Sequence, residues 1–356
     1  MWKTRKFWLI VGICFVALSL FAATGLAYQL NHWWNEAHIS TDPDKAILSD
    51  KQRDKIMTQK LNRNEPEKNE ETRYDFYALI IGLDLRDDSF MLNTDTIIVA
   101  HVMPKRQRVK LLSLPRDLRV TDLEDRSVKI NSVFADGYMQ AREKSRLNPD
   151  LLSGKTVKLG QFHIYEELLS SGMVVLRETV EEYLDISIDH TFLVHFQTVT
   201  ELVDAVGGIE IDVKRTMVWD DGADGTSIYF EPGVQHVNGE QALHYARFRM
   251  DSRGERYHSN DFERNERQQE VISRIVDKVV SWNSLPKVLD MIDIVAKNVK
   301  TDMGQNDMIQ LARNFYSGWS SGSVESIPFP GYWNYPFVYI DEEDLEQVKQ
   351  ALKSLE

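Results

Sequence analysis

Three stretches of this chain are apolar at both strand parities: Phe76 to Gly82, Thr96 to Val102 and Val109 to Leu114. A strand built this way has no solvent face. It needs cover on both sides, which selects a central sheet buried between layers of helix. Helical patterns follow over roughly Phe162 to Leu184, Phe196 to Val206 and Asp261 to Trp282, the last carrying Val271, Ile272, Ile275, Val276 and Val279 at helical spacing. Gly207-Gly208 stops the second of these, and Asn238 can cap a further helix over Gly239 to Phe248. Thr191 to Val194, Ile209 to Val213, Ser323 to Phe329 and Phe337 to Ile340 read as short strands, and a terminal helix opens at Glu342. Strands alternating with helices predict an α/β domain with a central mixed β-sheet flanked by helices.

The N-terminus constrains where that domain lies. From Phe7 to Leu30 there is no charged residue. At about 1.5 Å per residue such a helix crosses the roughly 30 Å of a bilayer's hydrocarbon core. Lys3, Arg5 and Lys6 precede the run and Glu36 is the first charge after it, so the positive-inside rule places residues 1–6 in the cytoplasm and everything after the span outside. A cleaved signal peptide ending near Gly25-Leu26-Ala27 is the competing reading, although the apolar run is longer than the ~7–15 residues usual for one. The expected organisation is a cytoplasmic tail 1–6, a transmembrane helix 7–30, a polar stalk or linker 31–73, a folded domain 74–320 and a strand and helix extension 321–356 packed on it. Trp333 and Tyr335 fall in an exposed-looking loop of that extension, where they could bind glycan or simply pack.

A formal charge of -13 over 356 residues argues against a general nucleic-acid binder, whose affinity would come from a basic surface. The single cysteine, Cys14, lies inside the apolar run, which excludes an intrachain disulfide or a thiolate metal cage. Against this acidic background, arginines and aspartates gather in four segments: Asp84-Leu85-Arg86; Asn93-Thr94-Asp95-Thr96; Leu114-Pro115-Arg116-Asp117-Leu118-Arg119; and the run from Arg247 to Gln269. Guanidinium forks match phosphate oxygens and paired carboxylates hold a hard divalent cation, so together they suit a phosphorylated substrate with metal. Arg247 and Arg249 alternate, so the helix before them is expected to end there. Arg264, Arg267 and Gln268 share a stripe near a helix N-terminus, which favours anions. Asp261 is either that helix's N-cap or a catalytic carboxylate. Taken singly, each has an ordinary explanation: a turn cap, a surface ion pair worth under about 1 kcal/mol, or a solvated basic face. A P-loop, zinc-ligand spacing, an H-E-x-x-H helix and a G-x-S-x-G elbow are all missing from the sequence.

The string Leu112 to Asp117, with Gly82 to Arg86 and Asn93 to Thr96 before it and Lys129 to Gly137 after it, resembles the LytR-CpsA-Psr family. So do Val206 to Ile209, Asn238 to Arg249 and Asp261 to Gln269, in the family's order. The resemblance implies an α/β/α fold enclosing a pocket for a prenyl tail, and a phosphotransferase that moves an anionic glycopolymer, of the wall teichoic acid or capsule kind, from an undecaprenyl-pyrophosphate carrier to peptidoglycan with Mg²⁺ or Mn²⁺. It implies that Asp84 and Asp95 hold the metal and that Arg86, Arg116, Arg119, Arg247 and Arg249 grip the pyrophosphate. Asp261, Arg264, Arg267 and Gln268 would line the remainder, with Asn131 also at the substrate and Asp117 among the catalytic groups. Two positions depart from the family pattern: Asn93, where many members carry arginine, and Glu263, where many carry glycine. These departures favour the rival reading, a non-catalytic regulator that binds polyprenyl phosphates or wall polymer. A metal-dependent lipid pyrophosphatase differs from the transferase only in its acceptor.

Overall fold

The computed structural model describes residues 31–63, 72, 74–83, 92, 94–159, 162–220, 226–280, 294–295, 297–316 and 324–355. The expected tail 1–6 and transmembrane helix 7–30 lie outside these, as do Asp84, Arg86 and Asn93. Among the described residues no helix is long and apolar enough to cross a membrane.

The apolar runs form the middle of one mixed sheet. Its strands are β1 (Phe76–Leu83), β2 (Thr94–Met103), β3 (Arg108–Leu114), β4 (His190–His195), β5 (Val299–Thr301) and β6 (Val324–Ile327), in the order β5-β4-β1-β2-β3-β6. β1, β2 and β3 form an antiparallel meander, β4 runs parallel to β1 and β6 parallel to β3, and β5 closes one edge antiparallel to β4. The helices are α1 (Asp50–Asn62), α2 (Ile130–Leu147), α3 (Glu166–Leu184), α4 (Phe196–Ala205), α5 (Gly239–Arg247), α6 (Asp261–Val280), α7 (Gln305–Tyr316) and α8 (Glu342–Lys353).

Strand alternation divides the apolar residues between two faces. Leu79, Ile81, Leu83, Ile97, Val99, Leu112 and Leu114 pack with α2 and α3 in one core. Ala78, Ile98, Ala100, Val109 and Leu111 face the other way, against Ile272 of α6 and Leu311 of α7. Both faces are therefore covered, as two-sided apolar strands require. A third core holds the hairpins between Ile209 and Val237 against α4, α5 and the Val271 and Ile275 side of α6. α2 and α3 approach closely because each presents a glycine at the crossing: a Cβ on Gly172 would lie 2.9 Å from the Phe134 carbonyl oxygen, and one on Gly137 would lie 3.0 Å from the Val175 Cβ.

Several expectations need correction. The helix expected over Phe162 to Leu184 begins only at Glu166, because Phe162–Tyr165 pairs with Thr156–Leu159 as a hairpin. α2 was not anticipated, because its Ile130, Val133, Phe134, Tyr138 and Ala141 are spread thinly among polar residues. Residues 31–63, expected as a stalk, are part of the domain. Ile39, Ala46, Ile47, Leu48 and Ile56 join the main core, and the polar side chains between them find buried partners. Arg177 of α3 donates to Thr41 at 2.8 Å and Glu178 at 2.9 Å, and Arg63 donates to Glu181 at 3.0 Å. Lys300 of β5 donates to the Glu36 carbonyl at 2.8 Å. Likewise residues 324–327 are not an appendage but the sixth strand, and α8 is pinned to β3 where the buried Lys110 ammonium donates to the Ala351 and Ser354 carbonyls.

Candidate active site

The C-terminal ends of β1, β3 and β4 and the N-terminal end of β2 meet at one edge of the sheet, because these strands are mutually parallel or antiparallel in that sense. The described parts of the arginine and aspartate segments, Thr94 to Thr96, Leu114 to Arg119 and Arg247 to Gln269, issue from this edge or from α5 and α6 beside it. Pro115 ends β3, and the next residue, Arg116, is held by acids on several sides. Its Nη1 donates to Asp95 Oδ1 at 3.1 Å, and its Nε lies 3.5 Å from Asp117 Oδ2 and 3.7 Å from Asp261 Oδ1. Burial alone would lower the Arg116 pKa, but Asp261, Asp95 and Asp117 outweigh it and raise it above the usual value.

The alternative left open for Asp261 resolves through its neighbour. Asn260 caps α6, its Oδ1 accepting from the Glu263 N–H at 2.8 Å. Asp261, in the first turn, is left to face Arg116 and Arg264, whose Nη2 is 3.1 Å from Asp261 Oδ1. The stripe read as either a site or a solvated basic face is buried: Arg264, Arg267 and Gln268 are 5%, 6% and 8% exposed. Burial lowers the Arg264 pKa, with Asp261 opposing and Arg116 and Arg249 adding repulsion, which also places Arg249 within electrostatic reach of the cluster.

The hydrogen-bonding account of this pocket does not close. Arg116 Nε, Arg264 Nε and Nη2, Asp261 Oδ1, Gln268 Oε1 and Thr96 Oγ1 are all buried without a hydrogen-bond partner in the protein. Buried polar atoms are nearly always satisfied, and leaving one unpaired costs about 1–3 kcal/mol. Arg264 Nη2 and Asp261 Oδ1 still face each other as an ion pair at 3.1 Å, so the unmet demand rests on the Nε–H donors of Arg116 and Arg264, which phosphate oxygens suit.

The remaining residues separate by role. Arg267 turns to the end of α5, donating through Nε to the Tyr245 carbonyl at 2.9 Å and through Nη2 to the Phe248 carbonyl. Burial brings its pKa down to about 10, so it stays charged near neutrality. α5 ends at Arg247 with Phe248 extended, as the alternation of Arg247 and Arg249 implied. The Arg247 guanidinium lies 5.4 Å from the Phe196 ring centroid, and that ring approaches Gly82, where a Cβ would be 2.8 Å from the Thr96 Cβ. The Asn131 N–H donates to the Arg116 carbonyl at 3.1 Å. Arg119 is exposed and donates to Ser127 Oγ at 2.6 Å. Asp117 is buried and bonded to Lys129 at 2.7 Å. Burial pushes its pKa up, but the Lys129 hydrogen bond and the Arg116 charge win and hold it below the usual range.

Sequence reasoning did not single out Lys129, Arg215 or Gln269. Lys129 reaches Asp117 through the pairing of Arg119–Thr121 with Ser127–Lys129, a register with no linear signature. Gln269 donates to Ser113 Oγ at 2.7 Å, tying α6 to β3. Arg215 answers the question that Glu263 raised. It donates to the Glu263 carboxylate at 2.9 Å, Ser259 Oγ adds a bond at 2.8 Å, and both keep the Glu263 pKa low despite burial. The extra negative charge is thus met on its own side. Among the described residues no group of three or more His, Cys, Asp or Glu side chains could hold a metal ion. Asp95, part-exposed beside Arg116, offers the hard carboxylate oxygens that suit Mg²⁺ or Mn²⁺; its expected co-ligand Asp84 lies outside the described residues.

Comparison with known proteins agrees with this picture. The model of the LytR_cpsA_psr family matches residues 45–354. A polyisoprenyl-teichoic acid–peptidoglycan teichoic acid transferase, TagU of Enterococcus faecalis, is 30% identical over 99% of this chain and 98% of its own length. The crystal structure of Bacillus subtilis TagV superposes with a TM-score of 0.56 and 27% identity, covering 81% of this chain and 97% of that one. TagT bound to LIIa-WTA shares the fold, with a TM-score of 0.55 at 23% identity over 81% of this chain and 93% of that one.

Proposed function

The chain belongs to the LytR-CpsA-Psr family, and from that premise we propose that it is a membrane-anchored phosphotransferase, moving an anionic glycopolymer from an undecaprenyl-pyrophosphate carrier to peptidoglycan. The observation that carries this reading is the buried convergence of Arg116 and Arg264 on Asp261, with the Nε–H of both arginines left without a hydrogen-bond acceptor. The charge-free run from Phe7 to Leu30, preceded by Lys3, Arg5 and Lys6, supports a single span with the catalytic domain outside the cytoplasm.

In this reading the Arg116 and Arg264 forks bind the pyrophosphate oxygens and Arg249 and Arg247 screen its outer charge. An acceptor sugar hydroxyl attacks the phosphorus that bears the polymer. The bond from that phosphorus to the bridging oxygen breaks, polyprenyl phosphate leaves, and the hydroxyl proton passes to a carboxylate at the site, the role proposed for Asp261. Arginines fixed before the reaction stabilise the charge that develops on the leaving phosphate without reorganisation. Asp95 and Asp84 would hold Mg²⁺ or Mn²⁺, which when bound neutralises phosphate charge. Water in place of the sugar hydroxyl gives pyrophosphatase activity as a side reaction.

The test is release of polyprenyl phosphate by the full-length protein in detergent, from a polyprenyl-pyrophosphate-linked glycan with Mg²⁺ and peptidoglycan. Arg116→Ala is expected to cut the rate by about 100-fold or more, the scale of losing one preorganised donor. Asp95→Ala and chelation are expected to abolish it together. Tight donor binding with no release would instead make the protein a binding regulator, and release that survives chelation would remove the metal.

A further inference from the structure

Two hairpins meet at the rim of the Arg116 cluster, and the sugar-transfer reading leaves both without a role. In the first, Arg119 and Lys129 are cross-strand partners. In the second, Tyr332–Asn334 pairs with Phe337–Tyr339. They are joined by a bridge between Leu118 and Val338, where the Val338 N–H donates to the Asp117 carbonyl at 2.8 Å. The joint stacks rings and cations on one another. The Lys129 ammonium lies 5.7 Å from the Trp333 ring centroid and the Arg119 guanidinium 5.6 Å from that of Tyr339, which stacks on Tyr332 at 6.1 Å. Val338 alone anchors the second hairpin in the core, at 1% exposure, while Trp333 and Tyr335 are 50% and 84% exposed. Aromatic rings left in water cost free energy, and a cluster of them beside a candidate site marks a contact surface.

We propose that this surface holds the acceptor, a strand of peptidoglycan, beside the bound pyrophosphate; the assignment rests on the transferase reading above. The occupant follows from the chemistry. Open aromatic faces stack on the C–H faces of pyranose rings, and Arg119 and Lys129 stand next to them for the carboxylates that such a strand carries. Continuity with the site is direct. Asp117 gives its carbonyl to the hairpin and its side chain to Lys129 and Arg116, so Trp333 connects through Lys129 and Asp117 to the guanidinium proposed to grip the donor.

The experiment measures binding of a fluorescently labelled, soluble, uncross-linked peptidoglycan strand to the full-length protein in detergent, by anisotropy and without donor. Trp333→Ala with Tyr335→Ala is expected to weaken binding about ten-fold or more, the scale of truncated aromatic anchors, and Trp333→Phe with Tyr335→Phe to restore most of it. The KM for strand in the transfer reaction should rise in parallel, while polyprenyl-phosphate release to water stays at the wild-type rate. Binding of the alanine variant within about two-fold of wild type would overturn the proposal. So would tighter binding of a polyglycerol phosphate than of the strand, which would assign the surface to the donor polymer. Transfer of the glycan from donor to strand tests the transferase reading separately: its failure with strand binding intact would sink that reading alone.

Discussion

Arg215 decides whether Glu263 helps or hinders the arginine stripe. The Glu263 carboxylate sits 4.0 Å from Arg267 and one residue before Arg264, so an unpaired charge there would compete with phosphate for both. Arg215 takes that charge and also donates to the Tyr257 and His258 carbonyls, which fixes the loop leading into α6. Arg215→Ala is therefore expected to raise the KM for the pyrophosphate donor about three-fold, the scale of a part-exposed ion pair, with a smaller change in kcat. Initial rates at varied donor concentration read this out. A second residue-scale prediction concerns stability. Burial and the neighbouring Glu178 push the Glu181 pKa up to about 7, against the opposing charges of Arg177 and Arg63. A carboxyl whose pKa is higher in the folded state favours the fold when protonated, so its contribution falls as pH rises from the ordinary value of about 4.5 through 7. Glu181→Gln keeps an acceptor for the Ile188 N–H and removes the charge. Its thermal midpoint should exceed wild type above pH 7, by up to a few kcal/mol in stability, and the difference should vanish near pH 5.

At the scale of elements, the pair α2 and α3 covers one face of the sheet, and its closeness rests on two glycines. A Cβ at position 172 would meet the Phe134 carbonyl oxygen at 2.9 Å and the ring Cε2 at 3.0 Å, both fixed in the packed core. Gly172→Ala should cost about 1–3 kcal/mol through overpacking, despite alanine's better helix propensity. The urea midpoint should fall with an unchanged slope. A midpoint at or above wild type would mean that the helices can move apart freely. Much of this level was legible in the chain. The two-sided apolar runs became β1 to β3, and the strong stripe of Val271, Ile272 and Ile275 became α6. α2 was not legible, since only five of its apolar side chains are fully buried and glycine, serine and charged residues interrupt the pattern.

For the whole molecule, the segment before β1 is structural. A chain shortened to begin at Tyr74 loses Ile39, Ile47, Leu48 and Ile56 from the core. At about 1.5–3 kcal/mol per large apolar side chain, that approaches the entire ~5–15 kcal/mol margin of a domain. It also strips Thr41 from Arg177 and Arg63 from Glu181. Such a chain is expected to show no cooperative thermal unfolding by circular dichroism, whereas one beginning at Asn31 unfolds cooperatively. The sequence by itself determined the sheet's core strands, the class of fold and the types of residue at the site, because strand period, helix period and charged side chains are properties of neighbours along the chain. Only the tertiary structure decided that polar residues 31–63 belong to the core, that Asn260 rather than Asp261 caps α6, and that Arg215 neutralises Glu263. It also decided that Arg116 and Arg264 converge on Asp261 while Arg119 turns to the aromatic hairpin. The reason is physical: burial and pairing are set by residues distant in sequence, and no local pattern encodes which charge will meet which.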